Sequence, residues 1–102
     1  MKITKISESP IIPIDFTAYK LFANQNIEII NLILKPREVL DRHNNTFNVL
    51  FIVQSGKAIL EFGNERTVVE KGNIIEAEKD IERGWINIGE EDLNLLIIKF
   101  LK

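Results

Sequence analysis

The stretch Leu50–Ile75 reads LFIVQSGKAILEFGNERTVVEKGNII. Its first residues, with Val49, run Val, Leu, Phe, Ile, Val, so a strand here is apolar on both faces and both must be covered. Lys57–Phe62 and Glu65–Glu70 follow as two β-rich runs separated only by Gly63-Asn64. That pair supplies the positive φ angles of a two-residue hairpin turn. Gly56 and Gly72 punctuate the ends of the neighbouring runs. The unit is strand, glycine, hairpin, glycine, strand.

On either side of this stretch, β-branched and aromatic residues recur in short runs bounded by Gly, Pro, Asn and Asp. The pattern predicts strands at Ile11–Phe16, Tyr19–Ala23, Ile27–Lys35, Glu38–Asp41, Asn48–Gln54, Asn73–Ala77, Glu82–Ile88 and Leu93–Leu101, besides the hairpin. Ile29–Leu34 is two-faced like the stretch above, apart from Asn31. Such strands fit a barrel or sandwich: one set of side chains fills the interior, and the other packs on a second sheet or a partner subunit. No linker, repeat or low-complexity tract divides the chain, so residues 1–102 form one all-β domain. Within it, 1–26 are expected to provide N-terminal edge or dimer strands, and 27–102 the barrel core. Symmetric pairing through the uncovered sheet predicts a homodimer, with the N-terminal strand able to exchange across the interface.

Composition removes several classes of function. Thirteen basic against fifteen acidic side chains, a net charge of −2, lack the cationic surplus of a phosphate-backbone binder, so no nucleic-acid partner is expected. With no cysteine there are no disulfides, thiolate metal sites or cysteine nucleophiles, which fits a cytoplasmic location. The single histidine, His43, leaves little for imidazole-rich metal sites or Ser-His pairs. Glu8, Pro10 and Pro13 interrupt any apolar leader near the start, and the apolar runs are far shorter than a membrane-spanning helix, so no membrane role is expected.

The spacing of a few residues resembles the cupins, small barrels of the jelly-roll, or double-stranded β-helix, kind. The resemblance covers roughly Lys35–Lys102. A cupin's first motif runs from a glycine through His-x-His and a glutamate to a closing glycine. Its second runs from a glycine through Pro-x-Gly to a histidine and an asparagine. On this chain the first falls on Arg37, His43, Asn45, Val49 and Gly56, and the second on Gly72, Glu78, Asp80, Arg83 and Asn87. His43, Gly56, Gly72 and Asn87 match. Of the positions that usually hold a metal only His43 keeps its ligand, the others being Asn45, Val49 and Arg83. The resemblance therefore implies a barrel without the usual metal, and no cofactor is expected. A guanidinium replaces a ligand there, so the same place would favour an anion.

Each candidate has more than one reading. His43 is a histidine bonded to backbone, a ligand contact or a surviving metal ligand. Arg83 reaches solvent, stacks on a ring or binds an anion in the lumen. Trp85 fills the core or an interface, or forms a stacking platform. Asn87 reads as structural; Glu76, Glu78, Asp80 and Glu82 read as a solvated edge, and Arg37, Glu38, Asp41 and Arg42 as surface charges. The resemblance implies that His43, Asn45, Arg83, Trp85 and Asn87 converge on a lumen lined by Val49, Phe51 and Val53. Two functions follow. One is a metal-free barrel that binds a small polar or anionic molecule through His43, Asn45, Phe51, Arg83 and Trp85, or acts as a dimeric sensing or scaffold module. The other is an enzyme, an isomerase, epimerase or lyase, either metal-free or with ligands drawn from Asp41, His43, Glu76 and Glu78. A regulator's sensor domain ranks third, because the sequence shows no helix-turn-helix extension.

Overall fold

The computed structural model describes residues 1–102. A single 3-10 turn, Ile6–Glu8, precedes nine strands: β1 Thr17–Ala23, β2 Ile27–Leu34, β3 Val39–His43, β4 Asn48–Ser55, β5 Lys57–Phe62, β6 Glu65–Glu70, β7 Ile74–Ala77, β8 Arg83–Asn87 and β9 Leu93–Phe100. They form two antiparallel sheets, β1-β2-β9-β4-β7 and β3-β8-β5-β6. This is the jelly-roll arrangement expected above. No helix is long and apolar enough to cross a membrane.

The two-faced strands explain why two sheets are needed. Alternation sends Ile30, Leu32 and Leu34 of β2, Val49, Phe51 and Val53 of β4, and Leu93, Leu95 and Ile97 of β9 inward, where all are buried. They meet Ala58 and Leu60 of β5 and Trp85 of β8 from the other sheet. The rings of Phe51 and Trp85 touch edge to face across that gap, centroids 5.0 Å apart. Such a contact adds about 0.5–1.5 kcal/mol to the area it buries.

Two local expectations are corrected. Ile11–Phe16 is not a strand: Pro10 and Pro13 lack the N–H a ladder needs, and only the Ile11–Tyr19 bridge forms. The segment instead lies beside β1, held by Lys20 N–H to Pro10 O and Ile12 N–H to Ala18 O, both 2.9 Å. At the hairpin, Phe62 faces Glu65 as expected, but only Gly63 takes a positive φ, 57°. This is the pattern of a turn that needs glycine at its first central position alone.

Two non-glycine residues have left-handed backbone, Arg37 at φ 69° and Asp80 at φ 63°. Both occupy places where the cupin motifs carry glycine, so the backbone keeps a bend that the side chains no longer favour. Asp tolerates it better than Arg, because a short polar side chain bonds locally in this region. Arg37→Gly is expected to raise stability by roughly 0.5–1 kcal/mol, the relief of the Cβ clash less the extra chain entropy of glycine. Thermal melting checks this; a lower midpoint would show that the Arg37 side chain contributes more than its backbone costs.

Candidate functional site

Strand register gives the barrel two unlike ends. At one, Leu34 pairs with Leu93, and both are fully buried. Asn87 closes this end: Nδ2 donates to Leu34 O and Glu91 O, and Oδ1 accepts from Gly89 N–H, each at 2.9 Å. Its structural reading holds, and neither it nor Val53 reaches the cavity. At the other end, β2, β9 and β4 bring Glu28, Lys99 and Val49 into register. β3 and β8 there pair His43 with Arg83.

A cavity of about 220 Å³ opens at this second end. Its wall contains all five ligand candidates, His43, Asn45, Phe51, Arg83 and Trp85. Lys99 and the apolar Ile12, Ile14, Ile30, Leu32 and Ile97 were not anticipated as part of it. Lys99 was legible: it follows Leu93, Leu95 and Ile97 on the inward register of β9, where a charge is out of place in a filled core. Ile12 and Ile14 were not, because they belong to the segment misread as a strand. The register grades the wall from a polar rim to an apolar floor, with His43, Asn45, Arg83 and Lys99 near the opening and Leu32, Phe51 and Trp85 deeper.

His43 is exposed at the rim, with Nδ1 3.1 Å from Asp41 O. Asn45 is half-buried; its Oδ1 accepts from Phe47 N–H at 3.1 Å, and its carbonyl accepts from Asp80 N–H at 2.8 Å. Arg83 is the unusual residue. It is 1% exposed, and its guanidinium donates to backbone carbonyls alone, Nη2 to Glu78 O at 2.8 Å and Nε to Ile81 O at 3.2 Å. Phe62 lies 5.8 Å beneath it, ring centroid to Cζ. Nη1 has no partner, and the ion pairs of the molecule, Lys20–Glu28 and Lys99–Glu28, do not involve Arg83. Burial accordingly pushes the guanidinium pKa below its ordinary value. Trp85, wholly buried, also has an unpartnered donor, Nε1. Arg83 therefore does not reach solvent; the stacking reading and an anion site remain compatible with its geometry.

This donor set does not fit a metal. An amide, a valine and a buried guanidinium stand beside His43, and the guanidinium repels a cation. The alternative ligands are not assembled either, since no three His, Asp or Glu side chains come together. Glu76 sits opposite Leu50 on the outer face of the larger sheet, and Asp41 and Glu78 are exposed. Elemental analysis of protein purified without a metal-affinity tag is expected to give well under one transition-metal ion per chain, and a stoichiometric ion would overturn this assignment.

Among solved structures, the chain is similar to a predicted oxalate decarboxylase from Thermotoga maritima, with TM-score 0.88 and 14% identity over 99% of this chain and 100% of that one. It is likewise similar to the polyketide cyclase RemF from Streptomyces resistomycificus, with TM-score 0.86 and 13% identity over 100% and 80%. The cupin domain of Cnp3 from Schizosaccharomyces pombe gives TM-score 0.84 and 12% identity over 96% and 68%. At these identities the likeness concerns the fold. No curated protein matches the sequence. The cupin domain family model matches residues 31–99, which include both motifs and four of the five candidate ligand residues' strands together with the loop carrying Asn45, and the chain belongs to the cupin family.

Proposed function

We propose that the barrel binds a small anionic molecule at its open end, without metal. The supporting observation is Arg83: a buried cation with one donor unpaired and no carboxylate as counter-ion. Burying a charge without a counter-charge costs several kcal/mol, so a ligand that supplies the missing charge gains what the empty site lacks. No Asp or Glu is in the cavity wall, and Lys99, the other cation there, is paired with Glu28 at 3.8 Å, so Arg83 is the cation without a counter-charge. Nη1 has no open surface, so a ligand oxygen reaches it as the guanidinium turns and releases the longer of its two carbonyl bonds, that to Ile81 at 3.2 Å. Asn45 Nδ2 and His43 at the rim then orient the anion. Titrating small anions while following Trp85 emission tests the reading, with Arg83→Ala as control. A response that the control loses is expected; no response and no thermal shift from any anion would leave a filled, inert scaffold.

A second observation supports a homodimer. Phe22, Ile29, Ile98 and Leu50 follow one another across four strands on the outer face of the larger sheet, beside a second row of Leu96, Ile52 and Ile74. No charged residue occupies an outward position of β2, β4 or β9. Five strands at about 4.8 Å spacing span roughly 24 Å, and the eight residues of β2, β4 and β9 at about 3.4 Å rise run roughly 27 Å, while β1 has seven residues and β7 four. That approaches the footprint of a stable interface, about 800 Å² per partner. A second copy of the chain matches this patch, since like apolar rows meet about a two-fold axis. Asn31, buried on this face, donates through Nδ2 to Asn94 Oδ1 at 2.6 Å and to Leu95 O at 3.2 Å, so its polar group is tied within the sheet. Light scattering at micromolar concentration is expected to give twice the 11.8 kDa chain mass. A monomer would contradict the pairing.

A further inference from the structure

We infer that the ligand is a compact monocarboxylate bound tail-down, its carboxylate at the rim beside Arg83 and its apolar body on the floor at Phe51. The inference rests on the anion site proposed above and adds the ligand's class and orientation. It follows from the way the cavity is graded. Ten of the fourteen wall residues are apolar, and the charged ones, Arg83 and Lys99, lie at the open end with His43. A phosphate is hydrophilic on every side and would leave the Leu32, Phe51 and Ile97 surface wetted. A neutral hydrocarbon would cover the floor but leave Arg83 without a counter-charge.

Size narrows the body. A dry protein cavity of about 150 Å³ holds one benzene ring. The 220 Å³ here takes such a ring and a carboxylate, on the order of nine non-hydrogen atoms. A planar carboxylate also suits the donors: it can accept from Arg83 Nη1 with one oxygen while the other meets Asn45 Nδ2 or Lys99 at the rim. Lys99 is only loosely held, its Nζ 3.8 Å from Glu28 Oε1. No bond is made or broken in this event; it is binding alone.

The test is calorimetric titration of the intact protein with benzoate, acetate, benzamide and inorganic phosphate. Benzoate is expected to bind at least tenfold more tightly than acetate, which lacks the body, and benzamide, which lacks the charge. Arg83→Met is expected to remove the preference for benzoate over benzamide while leaving benzamide binding intact, which separates loss of the charge from loss of the fold. Phosphate or acetate binding as tightly as benzoate would overturn the assigned class yet keep the anion site. Benzamide equal to benzoate, or no binding by any of the four, would overturn both.

Discussion

Gly56→Ala is expected to cost this protein a large share of its stability, about 3 kcal/mol or more, and to lower the melting midpoint by at least roughly 12 °C. Gly56 has φ 93°, a conformation that alanine adopts only at a cost of about 1–2 kcal/mol. A Cβ there would lie 2.7 Å from Asp92 O and 2.8 Å from Leu93 Cα. Both obstacles are backbone, at the start of β9, whose Leu93 and Leu95 are fully buried. Neither can turn aside as a flexible side chain would. Gly72 provides the control: its φ is 92°, but a Cβ meets nothing within 4 Å. Gly72→Ala should therefore show the conformational cost alone. Equal destabilisation of the two variants would mean that the approach of Asp92 and Leu93 to Gly56 is relieved at no expense.

The second large effect is the separation of binding from stability at Arg83. Arg83→Met keeps the side chain's length and packing on Phe62 but removes the charge. Folded stability is expected to hold or to rise by about 1–3 kcal/mol, because an apolar group in place of a buried ion avoids the desolvation cost. The carbonyls of Glu78 and Ile81 lose their donors, a cost set against that gain and moderated because both bonds are only part-buried. Anion affinity should fall about 10- to 100-fold, the loss of one charge-assisted hydrogen bond of about 1.5–3 kcal/mol. The sign with pH follows from the lowered pKa. For a base, a folded pKa below the unfolded one means that the folded state disfavours the charged form. That cost is present wherever the group is protonated, and it is relieved only as pH rises through the folded pKa. An arginine stays protonated throughout the working range, so the gain of the Met variant should not vary between about pH 5 and pH 9. Chemical denaturation at several pH values measures this. A loss beyond about 2 kcal/mol would make Arg83 a strut that ties β8 to the Glu78 and Ile81 carbonyls.

Much of the fold could be read from residues because period-two alternation and turn chemistry act locally. Lys57–Phe62 and Glu65–Glu70 have the expected bounds, since Gly63-Asn64 leaves one register open to the hairpin. Ile11–Phe16 misled because its Ile and Phe content resembles a strand, whereas Pro10 and Pro13 removed the donors that pairing needs. The motif spacing put His43, Asn45 and Arg83 together; β3 and β8 pair His43 with Arg83, and Asn45 lies in the same cavity wall. Asn87 and Val53 were assigned to the same lumen because alternation fixes which face a side chain takes and not how far along the barrel it lies. Their depth depends on register between strands distant in sequence, such as Leu34 with Leu93. The lack of a counter-ion at Arg83 was likewise beyond sequence, since Glu76, Glu78, Asp80 and Glu82 lie close along the chain yet point elsewhere.

The open end of the barrel holds a guanidinium with no counter-ion and one free donor, the group proposed to meet an acid with an apolar body. A crystal structure of the protein soaked in benzoate would show whether that pairing forms. Density is expected for the ring against Phe51 and for a carboxylate oxygen about 3 Å from Arg83 Nη1, a hydrogen-bond distance. A lumen filled by its own side chains or water at saturating benzoate, with Nη1 still unpartnered, would contradict it.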